Sequence, residues 1–372
     1  MTSRRLSGFD VFLLFFVTFE MVLGGGGRVF VIAEIPLRQM LFLIVLLRTL
    51  YLTALGLCIK KSTLYFVFAF VLFILYGVFL SVIIGSSENW MFDVQPLLYF
   101  IVVVWLSMLS KEIELLHFFQ KILAWSAFFM SITYVMYFVC MTLGVVSSGI
   151  AYHTLGSSSE FIFRPDSDGM FFYKGFFFVA IGALFFFHRS NYALFLLCLS
   201  AIVLSGSRGV FLSVLICIEL LLLLERRYFL ASIIAAVGVT ALIGMFSFFS
   251  ARGGESNAVR VADFDFLYEN LSLFDFVFGK GFGYLISGRE RIEVVYLEML
   301  AKCGIFSVLF FAFIFFLCVK CCRNSNFSVV SIVFVFCVSF TNPFLLTPMG
   351  IFLISILLAA SAKYKFNRLL FK

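Results

Sequence analysis

Charge is scarce in this sequence. Only 13% of the 372 residues are Asp, Glu, Lys or Arg, against 63% hydrophobic. A chain so poor in ionisable side chains has too little polar surface to cover a water-soluble fold. Alternation of polar and apolar residues is missing too. The runs Phe66–Ile84, Phe211–Leu224 and Ile305–Val319 do not alternate, which excludes a transmembrane β-barrel, whose strands do. Metal-ligand spacing and a disulfide framework are absent by pattern, since the nine cysteines fall inside apolar runs or at the adjacent Cys321 and Cys322. That pair reads as a juxtamembrane feature with no role. The first apolar run lacks a small-residue cleavage site and reads as a first helix rather than a signal peptide.

What is present is a series of apolar runs long enough to cross a bilayer core, which takes roughly 20 residues at the helical rise. They predict an all-α, polytopic integral membrane bundle forming a single membrane domain over 1–372, with about twelve transmembrane helices. These are placed near 9–23, 37–58, 64–84, 95–109, 118–143, 171–187, 191–205, 209–224, 228–249, 292–319, 327–342 and 348–362. Arg48 falls inside one of them and needs a partner there, for which Glu20 is the candidate. The run Gly24–Gly27 reads as a flexible turn after the first helix.

The net charge of +7 would suit a nucleic-acid partner only if the cations formed a stripe, and they do not. They sit in small groups between apolar runs, which is a topology signal. With Arg4 and Arg5 inside, the inside connections carry Lys60, Lys61, Lys111, Lys121, Arg189, Arg226, Arg227, Lys320 and Arg323, and the tail carries Lys363, Lys365, Arg368 and Lys372. The short outside loops 85–94 and 343–347 carry no lysine or arginine. Both termini are therefore expected in the cytoplasm.

Two connections are long, 144–170 and 250–291, and both fall outside by this count. Long loops in compact chains are usually functional or disordered. In the second, Val261, Phe264, Leu267, Tyr268 and Leu271 recur at helical spacing, which predicts an amphipathic helix. These loops also reverse the charge rule: they hold Arg164, Arg252, Arg260, Lys280, Arg289 and Arg291, and Arg208 sits on the tight turn Ser205-Gly206-Ser207-Arg208-Gly209. Snorkelling to lipid phosphates is one reading. The sharper one is an anion site, because guanidinium groups bind phosphate bidentately. Asp263-Phe264-Asp265 has the spacing of a metal-binding pair, but no nucleotide domain surrounds it and a solvated helix face is expected. Gly279-Lys280-Gly281-Phe282-Gly283 is not a dinucleotide fingerprint.

The order of Arg208 in its small-residue turn, Arg260, the glycine-rich stretch 279–283, and Glu293-Val294-Val295-Tyr296-Leu297-Glu298 followed by Gly304-Ile305 resembles the superfamily of O-antigen polymerases and O-antigen ligases. The resemblance covers roughly 160–315, and Arg164-Pro165-Asp166 looks like a stretch of that superfamily's other outside loop. Ligases carry a histidine where this chain has Glu293. The histidines here are His117, His153 and His188, so the departure favours the polymerase branch.

The resemblance implies a bacterial inner-membrane glycosyltransferase that joins undecaprenyl-diphosphate-linked saccharides at the periplasmic face. It implies no nucleotide sugar, no metal and no cofactor. Implied partners are the lipid-linked saccharides, membrane lipids and a chain-length regulator protein, with no nucleic acid. Arg208, Arg260 and Arg164 are expected to bind the diphosphate, Glu293 to act as base, and Tyr296, Ser207 and Gly281 to line the substrate. Glu293 as an acid at a helix N-terminus and Tyr296 as an interfacial anchor are the plainer readings. The alternatives are an O-antigen ligase, a capsule or common-antigen polymerase, and a lipid-linked saccharide flippase. A transporter predicts polar residues along a midplane path and two similar halves, whereas the polar residues here cluster at one face and no internal repeat is visible.

Overall fold

The computed structural model describes residues 8–27, 29–32, 34–56, 59–85, 89–155, 160–163, 171–250 and 254–361. Arg164, Arg252 and the basic terminal residues lie outside the described residues. Helices dominate, because a backbone in an apolar solvent must satisfy its own N–H and C=O groups. In chain order they are α1 (Gly8–Leu23), α2 (Leu37–Ala54), α3 (Lys61–Ile84), α4 (Trp90–Leu97), α5 (Val102–Leu109), α6 (Leu115–Thr142), α7 (Ser148–Leu155), α8 (Phe176–His188) and α9 (Tyr192–Leu204). They continue as α10 (Arg208–Leu224), α11 (Tyr228–Ser250), α12 (Gly254–Asn270), α13 (Leu273–Phe278), α14 (Val295–Cys303), α15 (Ile305–Cys322), α16 (Asn326–Val338) and α17 (Pro348–Ser361). Two short antiparallel hairpins join them, β1 (Val31–Ile32) with β2 (Ile35–Pro36), and β3 (Phe161–Phe163) with β4 (Phe171–Tyr173).

Five described segments are long and apolar enough to cross a bilayer: α2, α3, Trp90–Leu109, α6 and α15. Shorter apolar helices include α8, α9, α16 and α17. Three expected helices differ from the sequence reading. The one placed at 171–187 starts at Phe176, because Phe171–Tyr173 form β4. The one placed at 95–109 starts at Trp90 and passes through a 3-10 segment at Leu98–Ile101. Pro96 sits just before it, and a proline removes one helical hydrogen bond and crowds the preceding turn. The helix placed at 292–319 is two helices broken at Gly304. That glycine has φ +57°, and a Cβ there would collide with the Val277 carbonyl, so only glycine fits.

The chain divides into two compact units. The first comprises 1–45, 112–253 and 326–334. Its centre is α8, buried along nearly its whole length and packed on by α6, α9 and α10. Gly182 of α8 meets Ala127 of α6 so closely that no side chain fits between them, a small-residue crossing of the membrane-helix kind. In this unit Arg38 Nε donates to Glu20 at 2.8 Å, with side chains only 3% and 2% exposed. Arg38, rather than the expected Arg48, is thus the partner of Glu20, while the Arg48 guanidinium lies 5.0 Å over the ring of Tyr51. The Gly24–Gly27 run is a bonded turn rather than a loose one. Gly24 N–H donates to Glu20 O, Gly26 N–H to the Glu160 carboxylate, and Arg38 Nη2 to Gly25 O at 2.8 Å.

The second unit comprises 46–111, 254–325 and 335–372. Here α17 is the central helix, buried from Met349 to Ala360, with α5, α3 and α15 around it. Phe73 of α3 stacks on Phe310 of α15 at 4.1 Å between ring centres. The long connection between α11 and α15 contributes α12, α13 and α14 to this unit.

Candidate active site

Within 250–291 lies the helix α12, in which Leu267 is buried while Val261, Phe264 and Tyr268 are exposed. A capping box starts α13: Asp275 N–H donates to the Ser272 hydroxyl, and Ser272 N–H donates back to the Asp275 carboxylate at 3.0 Å. The glycine-rich stretch then runs along α14 and α3. Lys280 N–H donates to Ala301 O at 2.9 Å, Gly281 N–H to Lys302 O at 2.8 Å, and Phe282 N–H to Gly77 O at 3.1 Å. Ser81 Oγ donates to Phe282 O at 2.6 Å. Gly281 has φ +82°, and a Cβ on it would strike the backbone of Leu80 and Ser81. Gly281, expected to line substrate, is packed against the backbone of α3. It is buried, and its N–H is taken by Lys302.

Past that stretch the loop is pinned by a buried triad that sequence reasoning missed. Lys302 Nζ donates to Asp93 Oδ1 and Glu298 Oε1, each at 2.8 Å, and to the Glu290 carbonyl at 2.7 Å. The three side chains are 1–4% exposed. The remaining carboxylate oxygens hold the loop itself: Asp93 Oδ2 accepts from Gly283 N–H at 2.8 Å, and Glu298 Oε2 from Ile292 N–H at 3.3 Å. One cation and two carboxylates thus tie both ends of 283–292 to α4 and α14. The signal that was there to read is Glu298 and Lys302 four apart on one helix, the spacing of an ion pair on a helix face. A water-sized cavity borders the triad, lined among others by Asp93, Arg291 and Glu298.

Glu293 follows directly on this clamp. Arg260 of α12 reaches it with Nε and Nη2, both 2.6 Å from Glu293 Oε2, and also donates to the Thr341 carbonyl at 3.3 Å. The pair is partly open, with side chains 31% and 40% exposed. Tyr296, the second residue of α14, packs its ring against Phe340 at 4.4 Å and donates to Phe336 O at 2.8 Å. Its hydroxyl is held by a carbonyl. The structure therefore brings Arg260 and Glu293 together.

Two other expected members belong to the first unit. Arg208 is the first residue of α10 in the first unit, and Ser207 is its buried N-cap. The N–H groups of Ser205, Gly206 and Arg208 close the turn onto Ala201, Val203 and Gly206 carbonyls. Several loop cations have local acceptors. Arg289 pairs with Asp263, Arg291 Nη2 donates to Phe92 O at 2.8 Å, and Lys280 donates to Asn270 O at 3.0 Å. Asp263 is buried under Arg289, so half of the expected solvated Asp263-Phe264-Asp265 face is an internal ion pair. Asp265 is exposed as expected.

Apolar helices, five of the described segments long enough to cross a bilayer, define a multi-pass membrane protein. The chain is 34% identical to the O-antigen polymerase of Shigella flexneri, with 92% of each chain covered. It belongs to the O-antigen polymerase family. No protein-family model and no solved structure matches it.

Proposed function

We propose that this protein polymerises undecaprenyl-diphosphate-linked oligosaccharide repeat units into O-antigen polysaccharide at the periplasmic face of the bacterial inner membrane. Full-length membership of the O-antigen polymerase family carries this reading. The accompanying topology has about twelve crossings, both ends in the cytoplasm, and the loops 144–170 and 250–291 outside, on the positive-inside argument. A chain-length regulator is the proposed protein partner.

In the reaction, a hydroxyl of the incoming repeat attacks the anomeric carbon of the growing chain. The new C–O bond forms as the bond to the lipid diphosphate breaks, and the hydroxyl proton moves to a base. The Arg260–Glu293 pair suits both needs. With no substrate the guanidinium and carboxylate neutralise each other. An arriving diphosphate competes for Arg260, which binds phosphate through two N–H groups, and this releases the Glu293 carboxylate to accept the proton. Arg260 then stabilises the charge that grows on the leaving diphosphate. Arg208, Ser207 and Arg164 carry over from the sequence motif as further proposed contacts to the lipid-linked substrate, and the Tyr296 ring as a wall for a sugar.

The test is the lipopolysaccharide of a deletion strain. A missing polymerase leaves lipid A-core carrying one repeat unit, a single band above the bare core. Bare core with polymer accumulating on the lipid carrier would mean a ligase, and bare core without polymer a flippase. Either would overturn the proposal.

A further inference from the structure

The second unit carries an unassigned cavity of about 710 Å³ where the N-terminal turn of α3 meets the C-terminal end of α15 and Ser361 of α17. That volume is within the range of small-molecule sites, about 300–1,000 Å³. Lys61, Lys320 and Arg323 line it, together with Tyr65, Phe313, Phe316 and Leu317, and among the described residues no acidic side chain does. The apolar wall continues away from the cations as two exposed rows. On α3 these are Tyr65, Phe68, Leu72, Leu75 and Phe79, and on α15 Phe316, Phe313 and Leu309. The Ser81–Phe282 contact lies twenty residues along α3, roughly 30 Å at the helical rise. The cavity is therefore at the other end of the helix from the glycine-rich loop.

We infer that this cavity binds an anionic phospholipid, with its headgroup phosphate on Lys61, Lys320 and Arg323 and an acyl chain along the apolar rows of α3 and α15. Clustered cations at a helix end attract phosphate, while an aromatic and aliphatic wall beneath them suits a chain rather than a soluble anion. This site is separate from the one proposed for catalysis and does not depend on it.

The test is native mass spectrometry of the purified full-length protein, given phosphatidylglycerol or phosphatidylcholine with matched acyl chains. The wild type should retain phosphatidylglycerol preferentially. The preference should fall about fivefold for each cation removed and about a hundredfold in the triple variant K61Q/K320Q/R323Q. A Lys61→Arg/Lys320→Arg variant, which keeps the charge, should retain the preference, separating charge from damage to the fold. Should the triple variant fail to accumulate, Arg323→Gln alone, at an exposed position, gives the fivefold step. Equal retention of the two lipids, or a preference unmoved by the glutamine substitutions, would overturn the inference. So would full competition by glycerol phosphate, which would make this a site for a soluble phosphate.

Discussion

Two ion clusters stand within ten residues of each other in the second unit and differ in almost every physical respect. Asp93, Glu298 and Lys302 are buried, make hydrogen bonds to three loop backbone groups, and form a closed set. Arg260 and Glu293 are about a third exposed and held mainly by each other. A charge taken out of water is costly unless fully paired, so the first cluster can only hold structure. A partly hydrated pair is worth little to stability, so it can be opened by a competing anion. Burial, more than residue type, separates the clamp from the reactive pair.

The largest expected effect comes from breaking the clamp. Lys302→Met leaves two buried carboxylates unpaired, a loss on the order of 3–5 kcal/mol, and should remove most of the protein from the membrane fraction. Neutralising all three residues as D93N/E298Q/K302M should restore much of the level, because the cost lies in the unpaired charge. Failure of that rescue in immunoblots would mean the triad's bonds to Gly283, Glu290 and Ile292 matter more than its charge.

The reactive pair should behave the other way round. Arg260→Ala and Glu293→Gln should each change stability by no more than about 1 kcal/mol and leave protein level near normal. Glu293→Gln should slow polymer formation by about 10²–10⁴-fold, the usual worth of a general base. Arg260→Lys should rescue poorly, since a point charge does not reproduce two parallel N–H contacts. Long-chain lipopolysaccharide at wild-type levels in Glu293→Gln would reduce Glu293 to an acid at the start of α14.

The smallest effect sharpens the contrast at an exposed loop. Partial burial alone would raise the Asp275 carboxyl. Bonds from the Ser272 hydroxyl and N–H, and the Lys280 ammonium, outweigh it and hold the group below its ordinary value. A depressed carboxyl contributes stability above its unfolded value and loses it as pH falls through the folded one. Asp275→Asn should therefore lower thermal stability slightly at neutral pH, by about 1 kcal/mol or less. The gap to wild type should close below about pH 4. A gap that is constant with pH would show that the capping geometry, and not the charge, is what counts.

Much of the fold was legible because lipid imposes a one-dimensional rule: a long apolar run must become a helix. The helices at 9–23, 228–249 and 348–362 lie within one residue of α1, α11 and α17 at each end. That α12 is a helix was readable from its periodic apolar positions. The breaks were harder to read, because Gly304 is indistinguishable from any other glycine until Val277 is seen against it. The site divides in the same way. Charge on the outside face singled out Arg260, and the family resemblance singled out Glu293, 33 residues further on. That they meet at 2.6 Å is a matter of how α12 and the loop after α13 fold together, as are Glu20 with Arg38, Asp263 with Arg289, and Asp93 with Lys302 across 209 residues. Apolar patterning is local, so the sequence by itself determined the helices, the membrane setting and the family. Electrostatic pairing depends on distance and desolvation between distant segments, so only the tertiary structure decided which charges form the buried clamp and which pair stays partly exposed.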